Sequence, residues 1–163
     1  MLGRSYSIAV DIDSVATAQT LLTLTLPSDR IALLKRIYVT ARGQPSAEQL
    51  SIGVYHVTTL GTPSVAQDNL AGGNNNLVVQ RNDPGDAATA AEIRAEFSSE
   101  PTSLNSDPIS QRGVQNMAGF EFVPDSLDEV VVGPSQSVAV KLMAAPNASH
   151  NLTVGLEFSE IGT

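Results

Sequence analysis

Cysteine and tryptophan are both absent from this 163-residue chain. Without cysteine there is no disulfide staple, thiol nucleophile or thiolate metal site. Lysine is nearly absent: Lys35 and Lys141 are the only two, and Lys plus Arg total 9 against 17 Asp and Glu. The net charge is −8. Phosphate backbones call for a basic patch, so nucleic acid is not an expected partner. Charged residues make up 16% and aromatics 4%, which leaves little stacking surface for sugars or single-stranded nucleic acid. No apolar run approaches the ~18 residues that span a bilayer, so no membrane partner is expected. Met1 to Ser7 lack the apolar core and cleavage site of an export signal. Asn147-Ala-Ser149 and Asn151-Leu-Thr153 fit the glycosylation pattern, and without a signal they read as chance.

What is present is a 42% hydrophobic chain, too apolar for a disordered acidic tail and long enough to bury a core. Its dominant pattern has period two. Tyr6, Ile8, Val10 and Ile12 alternate with Ser7, Ala9 and Asp11, as in a half-buried strand. Leu22, Leu24 and Leu26 alternate with threonines and stop at Pro27, which cannot donate to a ladder. Ile37, Val39 and Ala41 alternate with Arg36, Tyr38, Thr40 and Arg42 within 31–42, and Leu50 to Val57 is rich in strand formers. Ala118–Val123, Glu129–Val132, Ser137–Ala144 and Asn151–Ile161 read as further strands, and Leu77–Val79 as a short one. Ala87 to Phe97 fits either period; the unbroken alternation of Glu92, Arg94 and Glu96 favours a strand. Ser98 to Gly113, with Pro101 and Pro108, reads as a long connection. About eight to ten short antiparallel strands separated by Gly, Pro and Asn turns predict an all-β, single-domain β-sandwich, with a jelly roll first among the options. Residues 1–5 are expected to form a flexible N-terminal arm and residues 6–163 the domain.

Searches for chemistry return little. His56 and His150 are the only histidines, too few for a zinc site without distant carboxylates. Asp11 with Asp13, and Asp83 with Asp86, could offer oxygens to calcium, but neither pair has the Gly and terminal Glu of a Ca²⁺ loop. No Gly-x-Ser-x-Gly elbow and no Gly-Lys-Ser/Thr phosphate loop occurs. No catalytic residue, metal or cofactor is expected. Arg36, Arg42 and Arg94 fall on polar strand faces, where they can pair with Glu92, Glu96 and Glu157 or with another subunit. Soluble monomers often blunt strand edges with lysine. Leu21–Leu26 and Val130–Val132 carry little charge, so cover by a neighbouring subunit is the expectation.

Five stretches carry a family resemblance: Leu33–Ala41, Pro45–Pro63, Pro84–Thr102, Gly119–Pro124 and Glu129–Ser135. As an overall pattern over residues 31 to 162, they resemble the jelly-roll capsid decoration, or cement, proteins of tailed bacteriophages. The resemblance implies a structural virion protein on the outer capsid surface. It implies a homo-oligomer, a trimer, seated between capsomers and bound to the major capsid protein. It brings no catalytic residues, and the Asn-rich insert at Gly72–Asn76 departs from it. Candidate contacts are the N-terminal residues 1–7, with Arg4 and Tyr6, and the insert, with Gly73 and Asn75; expected flexibility would let both order on binding. Tyr38, Arg42 and Tyr55 are candidate anchors, because Tyr and Arg are enriched in interfaces. The alternative is a non-catalytic carbohydrate- or receptor-binding jelly-roll module of a phage tail or fibre.

Overall fold

The computed structural model describes residues 3–43, 47–59, 79–83, 89–95, 97, 100–103, 108–125 and 129–162. These residues form strands and turns and, among them, no helix. In chain order the strands are β1 (Arg4–Val15), β2 (Gln19–Thr25), β3 (Arg30–Arg42), β4 (Gln49–Thr59), β5 (Gln80–Arg81), β6 (Glu92–Ala95), β7 (Thr102–Ser103), β8 (Ser110–Gln115), β9 (Phe120–Phe122), β10 (Val131–Val132), β11 (Ser137–Leu142) and β12 (His150–Gly162). The excess over the eight to ten expected comes from two- and three-residue pairings such as β5, β7, β9 and β10.

Two antiparallel sheets result. The front sheet runs β10-β3-β12-β1-β5, with β9 also on the outer edge of β3; the back sheet runs β6-β2-β11-β4-β7, with β8 also on β4. The chain alternates between sheets through β1 to β4, and the last strands then insert: β12 lies between β1 and β3, and β11 between β2 and β4. That nesting is the double Greek key of a jelly roll.

Period two explains the core. Tyr6, Ile8, Val10 and Ile12 of β1 meet Phe158, Leu156, Val154 and Leu152 of β12, and all eight are buried. Tyr6 and Phe158 stack at 5.5 Å between ring centroids. From the back sheet, Leu22, Leu24, Val54, Val138 and Val140 join the same core. Bulges adjust the alternation. An extra Lys35 between the pairs Glu157–Arg36 and Phe158–Leu34 lets Leu34 and Ile37 both point inward. A second bulge ends the β1–β12 ladder between Ile12 and Val15, where Ser14 takes a φ of 58° and donates its N–H to Asn151.

Three expectations need correction. Arg4 and Ser5 are not arm but the first rungs of β1, opposite Glu160 and Ser159, and Ser5 and Ser159 hydroxyls lie 3.1 Å apart. Residues 110–113, read as the end of the connection, belong to β8, which pairs with β4 from Gln49 to Val54. Val114 is the one aliphatic side chain of this Ser-Gln-Arg-Gly-Val-Gln segment, so its own sequence carries no alternation; the exposed ladder of β4 supplies the order. Finally, the low-charge strand β2 needs no neighbouring subunit at its edges, because β6 and β11 flank it.

Candidate functional site

The two outer sheet faces differ sharply. On the back sheet, outward-facing positions are largely buried: Thr23 and Ala139 are 0% exposed, and Tyr55 is 4% exposed. Tyr55 folds back over its own strand, because a Cβ on Gly53 would stand 2.6 Å from the Tyr55 ring and 3.0 Å from Met143 Sδ. Glu100 closes the margin of this face. It accepts from Thr20 N at 2.9 Å and Thr20 Oγ1 at 2.5 Å, and Lys141 lies 3.5 Å away. Tyr55 therefore does not project as a contact anchor.

The front sheet keeps its outer face open, and the register of β1, β12 and β3 orders it in rows. At one end Arg42 spans to β1, with Nε 3.3 Å from Asp11 and Nη2 bonded to Asp13. Thr153, between them, donates to Asp11 at 2.6 Å. The Arg42 guanidinium thus lies against both Asp11 and Asp13, the pair considered for calcium. Among the described residues no group of three or more His, Asp or Glu is arranged for a metal; Asp86 lies outside the described residues.

In the middle row Tyr38 lies flat across Gly155. A Cβ on Gly155 would fall 2.0 Å from Tyr38 Cζ, so only glycine allows the ring to lie there, an aromatic cover over a bare stretch of sheet. Arg36 stacks on the same ring, 5.0 Å from its centroid. Its guanidinium bonds Glu121 at 2.6 Å and Glu157 at 3.2 Å. Those two carboxylates, Glu121 first, raise the Arg36 pKa above its ordinary value. The arginines thus pair within the chain, and Arg94 does the same with Glu92 at 2.6 Å.

The last two rows are apolar only at their β10–β3 side and at Ile161, since Ser159 and Ser5 continue the Leu33 row across β12 and β1. Val131 sits opposite Leu33 and Ile161 opposite Ile31. Ile31 is 38% exposed and Val131 46%, while Leu33 and Ile161 are half-buried. Val123, 60% exposed, follows β9 along the same edge.

Of the residues singled out from the sequence, Tyr38 and Arg42 share this face. Arg4 begins β1 and is exposed. Tyr6 is 0% exposed and stacked on Phe158, which corrects its assignment as a contact; its place in the alternating run of β1 already marked it as core. Gly73 and Asn75 lie outside the described residues. Ile31, Val131 and Ile161 were not singled out, because the bulge at Lys35, which no local pattern marks, shifts the parity of β3 and turns Ile31 and Leu33 outward. Neither a protein-family model nor a curated protein matches this sequence.

Proposed function

We propose that this chain is a non-catalytic structural protein that decorates and stabilises a tailed-phage capsid. It binds the outer surface of major capsid protein capsomers as a homotrimer. The observation that carries this reading is the front-sheet outer face. Its apolar rows, Ile31, Leu33, Val131 and Ile161, adjoin a belt of charges already paired within the chain. Such a face buries apolar surface on a partner without stripping water from lone charges. The jelly-roll order of strands and the resemblance of residues 31–162 to decoration proteins support the same reading. Three copies engaging a shell together convert a modest contact into strong avidity.

Light scattering of the free protein is expected to give a three-chain mass. Saturating DNA-filled shells with it is expected to raise the temperature at which they release DNA. A monomer that leaves the release temperature unchanged refutes the proposal.

A further inference from the structure

At the end of the sandwich beside Val15, three separate segments meet at Glu48. Glu48, two residues before Leu50 on β4, accepts from Asn147 N at 2.5 Å and Ala148 N at 3.3 Å, both in the β11–β12 connection. His150 Nε2, at the start of β12, lies 2.8 Å from Glu48 Oε2. The backbone of Glu48 is held as well: its N–H donates to Asn116 Oδ1 at 3.1 Å, and its carbonyl accepts from Asn116 N at 2.9 Å. Asn116 belongs to the turn after β8 and is 3% exposed. The His150 and Glu48 side chains are 2% and 7% exposed. We propose that Glu48 and His150 form an acid-opened clasp that holds this end of the sandwich shut.

The chemistry is one-sided. A carboxylate only accepts, and here it receives two backbone N–H groups and an imidazole N–H. Protonating it removes the negative charge from all three bonds and sets a hydrogen on an oxygen that already accepts, so the charge-assisted bonds that hold the connection weaken. His150, followed by the Asn147 N–H, lowers the Glu48 pKa from its ordinary value. A depressed carboxylate pKa stabilises the closed form above the ordinary carboxylate range, and this stabilisation is lost as pH falls through the folded value.

No second charge intrudes among the described residues. On β1 and β3, Asp11, Asp13 and Arg42 engage one another. Arg112 of β8 sits opposite Ile52, and Lys141 of β11 pairs with Glu100. Glu121 of β9 is bound by Arg36. Residues 143–149 and 116–119 carry no titratable side chain. Beneath the clasp lie Val15, opposite His150, and Leu50, 1% and 4% exposed, so opening turns acid into exposed apolar surface.

Amide hydrogen exchange of the intact protein, corrected for the intrinsic pH dependence of exchange, tests the clasp. Between pH 6 and pH 3, protection at Asn147 and Ala148 is expected to drop by at least about tenfold, while Val154 and Leu156 in the central ladder keep theirs. The Glu48→Gln variant, whose amide presents hydrogens to the same donors, is expected to show low, pH-independent protection at both amides already at pH 6. Protection at Asn147 and Ala148 that stays constant down to pH 3, or that vanishes only together with Val154, overturns the clasp. So does a Glu48→Gln variant with the wild-type profile. The wild-type titration alone decides the matter if that variant fails to fold.

Discussion

Gly155→Ala is a small change with a defined consequence. Gly155 has no need of a special backbone conformation, as its φ is not positive. What it provides is room. An added Cβ would stand 2.0 Å from Tyr38 Cζ and 2.4 Å from the hydroxyl oxygen. Ordinary carbon contacts are about 3.5–4.0 Å, so the ring must withdraw by about 1.5–2 Å. Tyr38 is half-buried and can swing into solvent, but it then leaves both the sheet and Arg36. Against this, alanine is favoured over glycine in a strand interior by about 0.5–1 kcal/mol. The two effects oppose, so the single variant alone is a poor test. A double-mutant cycle separates them. In wild type, Gly155→Ala is expected to be neutral to destabilising by about 1 kcal/mol; in a Tyr38→Ala background it is expected to stabilise by about 0.5–1 kcal/mol. Urea denaturation monitored by circular dichroism reads the coupling, expected at about 0.5–2 kcal/mol. A coupling of zero refutes the packing of Tyr38 on Gly155.

Three further outcomes follow from the core and the buried acids. Phe158→Ala, at a ring 1% exposed and stacked on Tyr6, is expected to cost about 3–5 kcal/mol in urea denaturation. Glu160→Ala removes a buried acceptor that takes Thr89 Oγ1 at 2.5 Å and Ala90 N at 3.1 Å; a loss of about 1–3 kcal/mol is expected, with the Ala90 amide exchanging faster. Thermal denaturation of wild type is expected to fall more steeply than that of Glu48→Gln as pH drops below the ordinary carboxylate range, because the depressed Glu48 pKa stabilises only above it.

Much of the sandwich was legible in alternation, because one face of each long strand is buried. Tyr6 to Ile12 and Leu152 to Phe158 show both their strand and their inward face in sequence. Segments ordered by a partner's backbone were not legible, and β8 is the example: polar on nearly every position, it forms because β4 offers a ladder. Bulges were hidden too, since nothing local marks Lys35 as the extra residue. The surface was half readable. Tyr38 and Arg42 on the polar stripe of β3 were visible, whereas the apolar rows required the parity shift. Glu48, Glu100 and Glu160 looked like ordinary acids. Their roles arise from contacts with residues 102, 80 and 71 positions away, beyond the reach of any local pattern.

In the proposed reading, this chain binds a capsid through the apolar end of its front sheet. Co-sedimentation with expanded tailed-phage capsid shells, comparing wild type with Ile31→Asp/Val131→Asp, tests that reading. Saturable pelleting of wild type is expected, with its loss in the double variant and an unchanged circular dichroism spectrum. Wild type that stays in the supernatant, or a double variant that pellets equally well, contradicts it.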